Sequence, residues 1–313
     1  MKLNHIYKSI ACGVLLAMTA TSCDLDYNPV DTYSDVTEGV IKTDEKPIFN
    51  SVQDVETSMV TLHKKFRDQQ EHWYVDKLLI GDAHSDNAYA GTTGAEVVPY
   101  ETNSIEGSNS VLKRDWDRFL GDIAVANRII VGCDQLKALS ESERGKYQSQ
   151  AKIFRAMVMF DMVRLWGNFP VITTVGGDIT EDNVEEMYPT YFPPQNTAEE
   201  AYAQIEKDLT EAVENPNTPT NDTSDKSILT KSVARAMLAK VYAEKPLRDY
   251  AKVIKYADEL AADGFDLVED FSDLWAYDTE KKDCRVRNTK EAILEAHFPP
   301  GSGNWCTWMF GRN

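Results

Sequence analysis

The sequence predicts an all-α protein of paired helices, joined by long loops and carrying few short strands. Three observations predict it. Apolar residues recur at steps of three and four along seven or so stretches. Capping-box sequences open two of those stretches. Glycine and proline stand where the helical periods stop, as at Gly167, Pro170 and Gly264.

In chain order, residues 1–22 read as an export signal. Lys2 and Lys8 form a basic start, and Ile10–Ala20 is an apolar run too short to anchor in a bilayer. Ala20-Thr21-Ser22-Cys23 resembles the lipobox of bacterial lipoproteins, which implies cleavage before Cys23 and diacylation of its thiol. Residues 23–50 are acidic and aperiodic, as expected of a tether. A first helix carries Val55, Met59, Leu62 and Phe66, with Ser51 or Asp54 as its N-cap. Residues 81–110, rich in Gly, Ser, Asn and Asp, show no helical period, and so long a loop is uncommon unless functional.

Val111–Leu139 is a helix on Trp116, Phe119, Ile123, Ala126 and Ile130. Ser140 and Glu143 then fit a capping box, so the next helix should return antiparallel to it. In that helix Tyr147, Ala151, Phe154, Val158, Met162 and Leu165 share a face, widened by Met157, Met159 and Trp166. A face that broad predicts burial against neighbours on more than one side. Arg155, Asp161 and Arg164 lie among these apolar residues and are expected to pair with each other or cap neighbours. Thr197 and Glu200 form the second capping box, before a helix on Tyr202, Ile205, Leu209 and Val213. Thr230–Glu244 follows, with small Ala234, Ala236, Ala239 and Ala243, then Leu247–Ala262 on Tyr250, Ile254, Ala257 and Leu260. Glu291–Phe298 is short and apolar enough to be a strand. The helix pairs have the length of tetratricopeptide units, but no strict 34-residue period is present.

The net charge of −18 over 313 residues disfavours nucleic acid and anionic membranes as partners. Motifs for phosphate loops, serine nucleophiles and zinc are absent, and no cofactor or metal is expected. Asp82, His84 and Asp86 alternate, but the spacing is not that of a calcium loop, and turn formation is the expected role of Asp86 and Asn87. Cys133, Cys284 and Cys306 are too few and too scattered for a disulfide framework. Paired carboxylates for glycoside hydrolysis carry no signal in a chain with 51 acids. Aromatics near polar side chains are more informative, because a flat ring stacks on a pyranose while Asp and Asn bind hydroxyls. On that chemistry Trp73, Asp86, Asn87, Tyr89, Trp305 and Trp308 are candidate glycan-binding residues.

An ordered set of short motifs runs through nearly the whole chain. It comprises Cys23 followed by Asp24-Leu25-Asp26, Trp116 to Asn127, Arg155-Ala156 with Phe160-Asp161, Gly167-Asn168-Phe169-Pro170, Asp208-Leu209, Leu229-Thr230-Lys231, Leu238 to Tyr242, and Gly264 to Leu267. In this order and spacing the chain resembles the SusD/RagB family of outer-membrane lipoproteins. The resemblance implies a tetratricopeptide-like fold and a surface-exposed, lipid-anchored protein that captures oligosaccharides and passes them to a SusC-like TonB-dependent transporter. It implies no enzymatic activity, and peptide as the ligand of some members. Similar proteins continue well beyond the position of Asn313, so residues 51–313 are expected to be a C-terminally shortened domain of this kind. The alternatives are a helical module that docks on the transporter without ligand affinity, or a surface hydrolase.

Overall fold

The computed structural model describes residues 47–85, 87–89, 94–177, 184–185 and 191–299. The signal, Cys23, most of the tether, Asp86, Trp305, Cys306 and Trp308 lie outside them. Helices dominate the described residues from Ile48 onward, which belong to one compact unit. The longer ones are α1 (Val52–Asp68), α2 (Ser110–Gln135), α3 (Glu141–Trp166), α4 (Ala198–Glu214), α5 (Lys231–Ala243) and α6 (Tyr250–Ala262).

Their starts follow from side-chain chemistry. Ser51, Ser140 and Thr197 each accept from a backbone N–H three residues on, while Asp54, Glu143 and Glu200 reach back to the cap's own N–H. Asn109, Thr230 and Asp249 cap α2, α5 and α6. The chain leaves α3 at Gly167, whose φ of 73° lies in the left-handed region that a side chain would strain. Beyond it Val171–Thr173 finds no strand partner among the described residues; Phe169 bridges singly to Asn196.

α3 packs on α1, α2, α4 and α5, α2 runs back against it, and α6 touches α5. Ala151, Ile153, Phe154, Val158, Met159 and Met162 of α3 are fully buried. The broad apolar face therefore means what the sequence suggests, a helix enclosed by others in tetratricopeptide-like pairs. The charges on α3 pair, but not with each other. Arg155, 4 % exposed, donates Nε and Nη2 to the two oxygens of Asp208 on α4 at 2.8 and 2.7 Å, and Nη1 to Asn127 Oδ1 on α2 at 2.7 Å. Asn127 Nδ2 in turn donates to the Ile172 and Thr174 carbonyls, fixing the exit from α3. Asp161 takes Lys77, and Arg164 takes Glu244 at 3.1 Å. An enclosed helix brings each charge against a different neighbour, so the pairs form between elements.

Three expectations change. Glu291–Phe298 is not a strand; Glu295 N–H donates to the Lys226 carbonyl and the segment runs irregularly. The strands found are Tyr277–Asp278 (β1) and Asp283–Cys284 (β2), antiparallel with Tyr277 opposite Cys284. In α6 Tyr250 and Ile254 are exposed, while Tyr256 is buried and stacks on Tyr242 with ring centroids 6.1 Å apart. Two apolar stripes compete on that helix, and α5, its main neighbour among the described residues, takes the one through Tyr256. Finally, residues 81–110 are not wholly irregular. π-helical turns at Glu71–Val75 and Leu79–Ala83 flank Asp76–Leu78, and Val98–Glu101 forms a helical turn whose Tyr100 is fully buried.

Candidate functional site

The π-helical turn Glu71–Val75 aims Trp73 inward. Its ring is 4 % exposed and lies 4.8, 5.6 and 6.3 Å from the Phe66, Phe154 and Phe119 rings, with the Lys77 ammonium 4.8 Å over its centroid. No face of this indole is open for stacking, so it serves as wall and core. Tyr74, next in the turn, is half-buried and borders open space.

Asn87 and Tyr89 behave otherwise. The Asp82 carbonyl accepts from the N–H groups of Asn87 and Ala88 at 3.1 Å, and Asn87 Nδ2 donates to Ser85 Oγ. Asn87 is thus a turn former, as its residue type suggests. Tyr89 follows the turn at 78 % exposure. His84 caps the preceding π-helical turn, and no three His, Cys, Asp or Glu side chains converge on a metal position among the described residues.

The concave surface lies elsewhere. The segment Leu294–Phe298 runs through a trough with a notch on each side. One notch, about 330 Å³, has Phe66, Trp73, Tyr74, Met157, Phe160 and Met237 as apolar lining. Lys77, Asp161, Arg164, Lys240 and Glu295 supply its charges. The second notch, about 300 Å³, shares Phe66, Glu295 and Ala296 with the first and adds Met59, His63, Lys64, Arg67, Ser227 and His297. Adaptable methionines and aromatic rings beside charged groups are the chemistry of an open ligand surface. Burial pushes the His63 imidazole toward its neutral form, against its hydrogen bond to Gln150. His297 Nε2 lies 3.0 Å from Glu295 Oε2.

Sequence reasoning missed this trough, whose walls come from six separate stretches. It also missed the buried acids of α2. Asp115 and Asp122, 1 % and 0 % exposed, sit on the apolar stripe with Phe119 and Ala126. Their spacing from those residues was the available signal. Asp122 meets Lys65 and His72, each at 3.1 Å. Asp115 lies beside Asp76, which pairs with Arg114. Burial, and then the neighbouring Asp76 carboxylate, push the Asp115 carboxyl up to about 8. The buried Tyr100 hydroxyl finds no hydrogen-bond partner among the described residues and is pushed up to about 12 by burial and by Asp115 and Asp76. This cluster binds the 94–110 stretch to the helical body. Among the described residues Cys133 and Cys284 form no disulfide, and Cys133 is buried.

A family profile, SusD-like and described as starch-binding and associating with the outer membrane, matches residues 32–243. A SusD-like protein of Bacteroides ovatus is 25% identical over 309 residues, covering 95% of this chain and 50% of that one. The chain therefore spans about half the length of that curated relative. Among solved structures, the surface glycan-binding protein A of Bacteroides fluxus aligns with a TM-score of 0.63 and 21% identity over 82% of this chain and 52% of its own. A laminarin-binding SusD-like protein aligns at 0.59 and 20% identity over 72% of this chain and 48% of its own. These structural likenesses carry the fold.

Proposed function

The chain belongs to the SusD-like family, and from that premise we propose that it captures oligosaccharides at the outer membrane and passes them to a SusC-like TonB-dependent transporter. Lipidation of Cys23 would hold it there, since stable anchoring takes more than one acyl chain. The observation that carries the reading is the trough beside Leu294–Phe298, with its rings and methionines and a charged rim. Sugar rings offer apolar faces and a hydroxyl edge, and such a trough meets both. Tyr74 within it and Tyr89 beside Asn87 are the rings proposed to stack. Asp86, Trp305 and Trp308 remain proposed contacts on chemistry alone. The reading is of a binding protein and not of a hydrolase.

Calorimetry of the full chain against a panel of neutral and acidic oligosaccharides tests it. Binding without product release is expected; no binding across the panel, or hydrolysis abolished by one carboxylate substitution, would overturn it. A second reading, a module that only docks on a transporter, is favoured by Phe271, Trp275 and Tyr277, which are 71%, 76% and 62% exposed on one short stretch. Capture of the transporter by a chain with no affinity for any saccharide would select that reading.

A further inference from the structure

The charges around the trough run against the charge of the chain. The protein carries −18 overall. Yet the second notch is bordered by His63, Lys64 and Arg67 of α1 and by His297 from the facing segment, against the single carboxylate of Glu295. Arg67 engages the neighbouring Asp68 through Nε at 2.8 Å, leaving its Nη groups without a carboxylate among the described residues. Lys64 here, and Lys240 in the first notch, are exposed lysines with no carboxylate partner among the described residues. Carboxylates near the notch are already engaged. Asp225 accepts from Ser227 N–H and Oγ, and Glu295 meets His297.

His63 adds a specific polar atom. Gln150 Nε2 donates to the Lys146 carbonyl, so its Oε1 must accept, and it lies 3.1 Å from His63 Nε2. The imidazole proton is therefore on Nε2. His63 Nδ1 is buried and makes no hydrogen bond of good geometry among the described residues, while the Ser227 backbone lies near enough to favour the protonated ring, and the residue borders the notch. An anion entering there would favour protonation of Nδ1, turning it into a donor and adding a positive charge. The charged or titratable groups facing His63 are Lys64 and Arg67 on its own helix, Asp225 beside Ser227, and Glu295 and His297 on the trough segment.

We propose that this trough selects an acidic oligosaccharide, one whose sugar-borne anion sits among His63, Lys64, Arg67 and His297 while its ring faces lie toward the apolar lining. The proposal rests on the glycan-binding reading and narrows it to anionic sugars. Charge-assisted contacts are stronger than neutral ones, and the loss of one costs about tenfold in affinity. The sugar carboxylate and the sulfate ester share this chemistry, and the probes separate them.

The test is calorimetry on the full chain with three probes, tetragalacturonate, a sulfated galactan tetrasaccharide and neutral maltotetraose. Each is titrated at pH 5.5 and pH 8, at low and at raised salt. Acidic probes should bind about tenfold or more tighter than the neutral one. Their affinity should fall as salt rises and as the pH rises through the His63 titration. Lys64 is exposed, so Lys64→Glu should leave the fold intact and weaken acidic probes about tenfold. His63→Gln should flatten the pH dependence, with circular dichroism confirming its fold. Equal or tighter binding of maltotetraose would overturn the proposal and leave the glycan reading standing. Binding of no saccharide would overturn both. Equal affinity for tetraglutamate, titrated as a peptide control beside the three saccharides, would overturn the saccharide assignment, and acidic binding unaltered by Lys64→Glu would overturn the site.

Discussion

Two tryptophans separate the molecule into regions that use aromatic rings differently. Trp73 is buried among Phe66, Phe119 and Phe154, where α1, α2 and α3 meet. Trp275, just before β1, is 76% exposed and touches Phe271 with ring centroids 6.4 Å apart. The first region is enclosed by helices apart from the notch that Phe66 and Trp73 line, and its buried charges are paired, as Arg155 is with Asp208. The second leaves Leu267, Phe271, Trp275 and Tyr277 largely exposed. The lesson is that residue type does not mark a binding ring; the number of neighbouring elements does. Trp73 has several around it, and Trp275 has a single short hairpin.

The contrast breaks most sharply at Arg155. Arg155→Ala leaves Asp208 buried and uncompensated, and should cost about 3–5 kcal/mol in chemical denaturation. Phe154→Ala, a fully buried ring on the same helix, should cost a similar ~3–5 kcal/mol. Unchanged denaturation midpoints for both would mean that α3 is not the enclosed centre of the structure.

The same contrast explains what could be read in the sequence. The breadth of the apolar face on α3 announced an enclosed helix, and the boxes at Ser140 and Thr197 announced helix starts, because both are local patterns. The trough was not legible, since Phe66, Tyr74, Phe160, Met237 and Ala296 come from distant stretches that only packing brings together. The wrong stripe chosen for α6 has the same cause. Tyr250–Ile254 and Val253–Tyr256 are equally periodic, and packing against α5 decides between them. Trp73 shows the limit most plainly. A tryptophan near a polar loop looks the same in sequence whether it faces solvent or core.

A smaller effect sharpens the boundary between the regions, at Asp115 under the 94–110 stretch. Its folded value, about 8, lies above the ordinary value of about 3.9. The folded state therefore binds the proton more tightly. Its contribution to stability is fully present below about pH 4 and is lost as the pH rises toward 8. The wild-type melting temperature should decline between pH 5 and pH 9. Asp115→Asn should flatten that decline and melt higher at the alkaline end. Parallel curves for the two proteins would show that burial and Asp76 do not hold the Asp115 carboxyl protonated.

A capping change is smaller again. Ser140→Ala removes the acceptor for Glu143 N–H and should cost about 1 kcal/mol.

The smallest effect on stability is expected at Trp275, and there the comparison is most exposed to failure. An exposed ring contributes little to folding, so Trp275→Ala should shift the unfolding free energy by no more than about 0.5 kcal/mol. The backbone beneath it is held independently, by Arg285 N–H on the Ala276 carbonyl at 2.7 Å and by Arg285 on Ser272 and Asp273. A neutral effect on stability joined to weakened capture of a transporter would make this ring part of a docking surface. A loss of 2 kcal/mol or more, the cost of truncating a buried ring, would instead mean that Trp275 is covered in solution. The molecule would then have one way of using its tryptophans and not two.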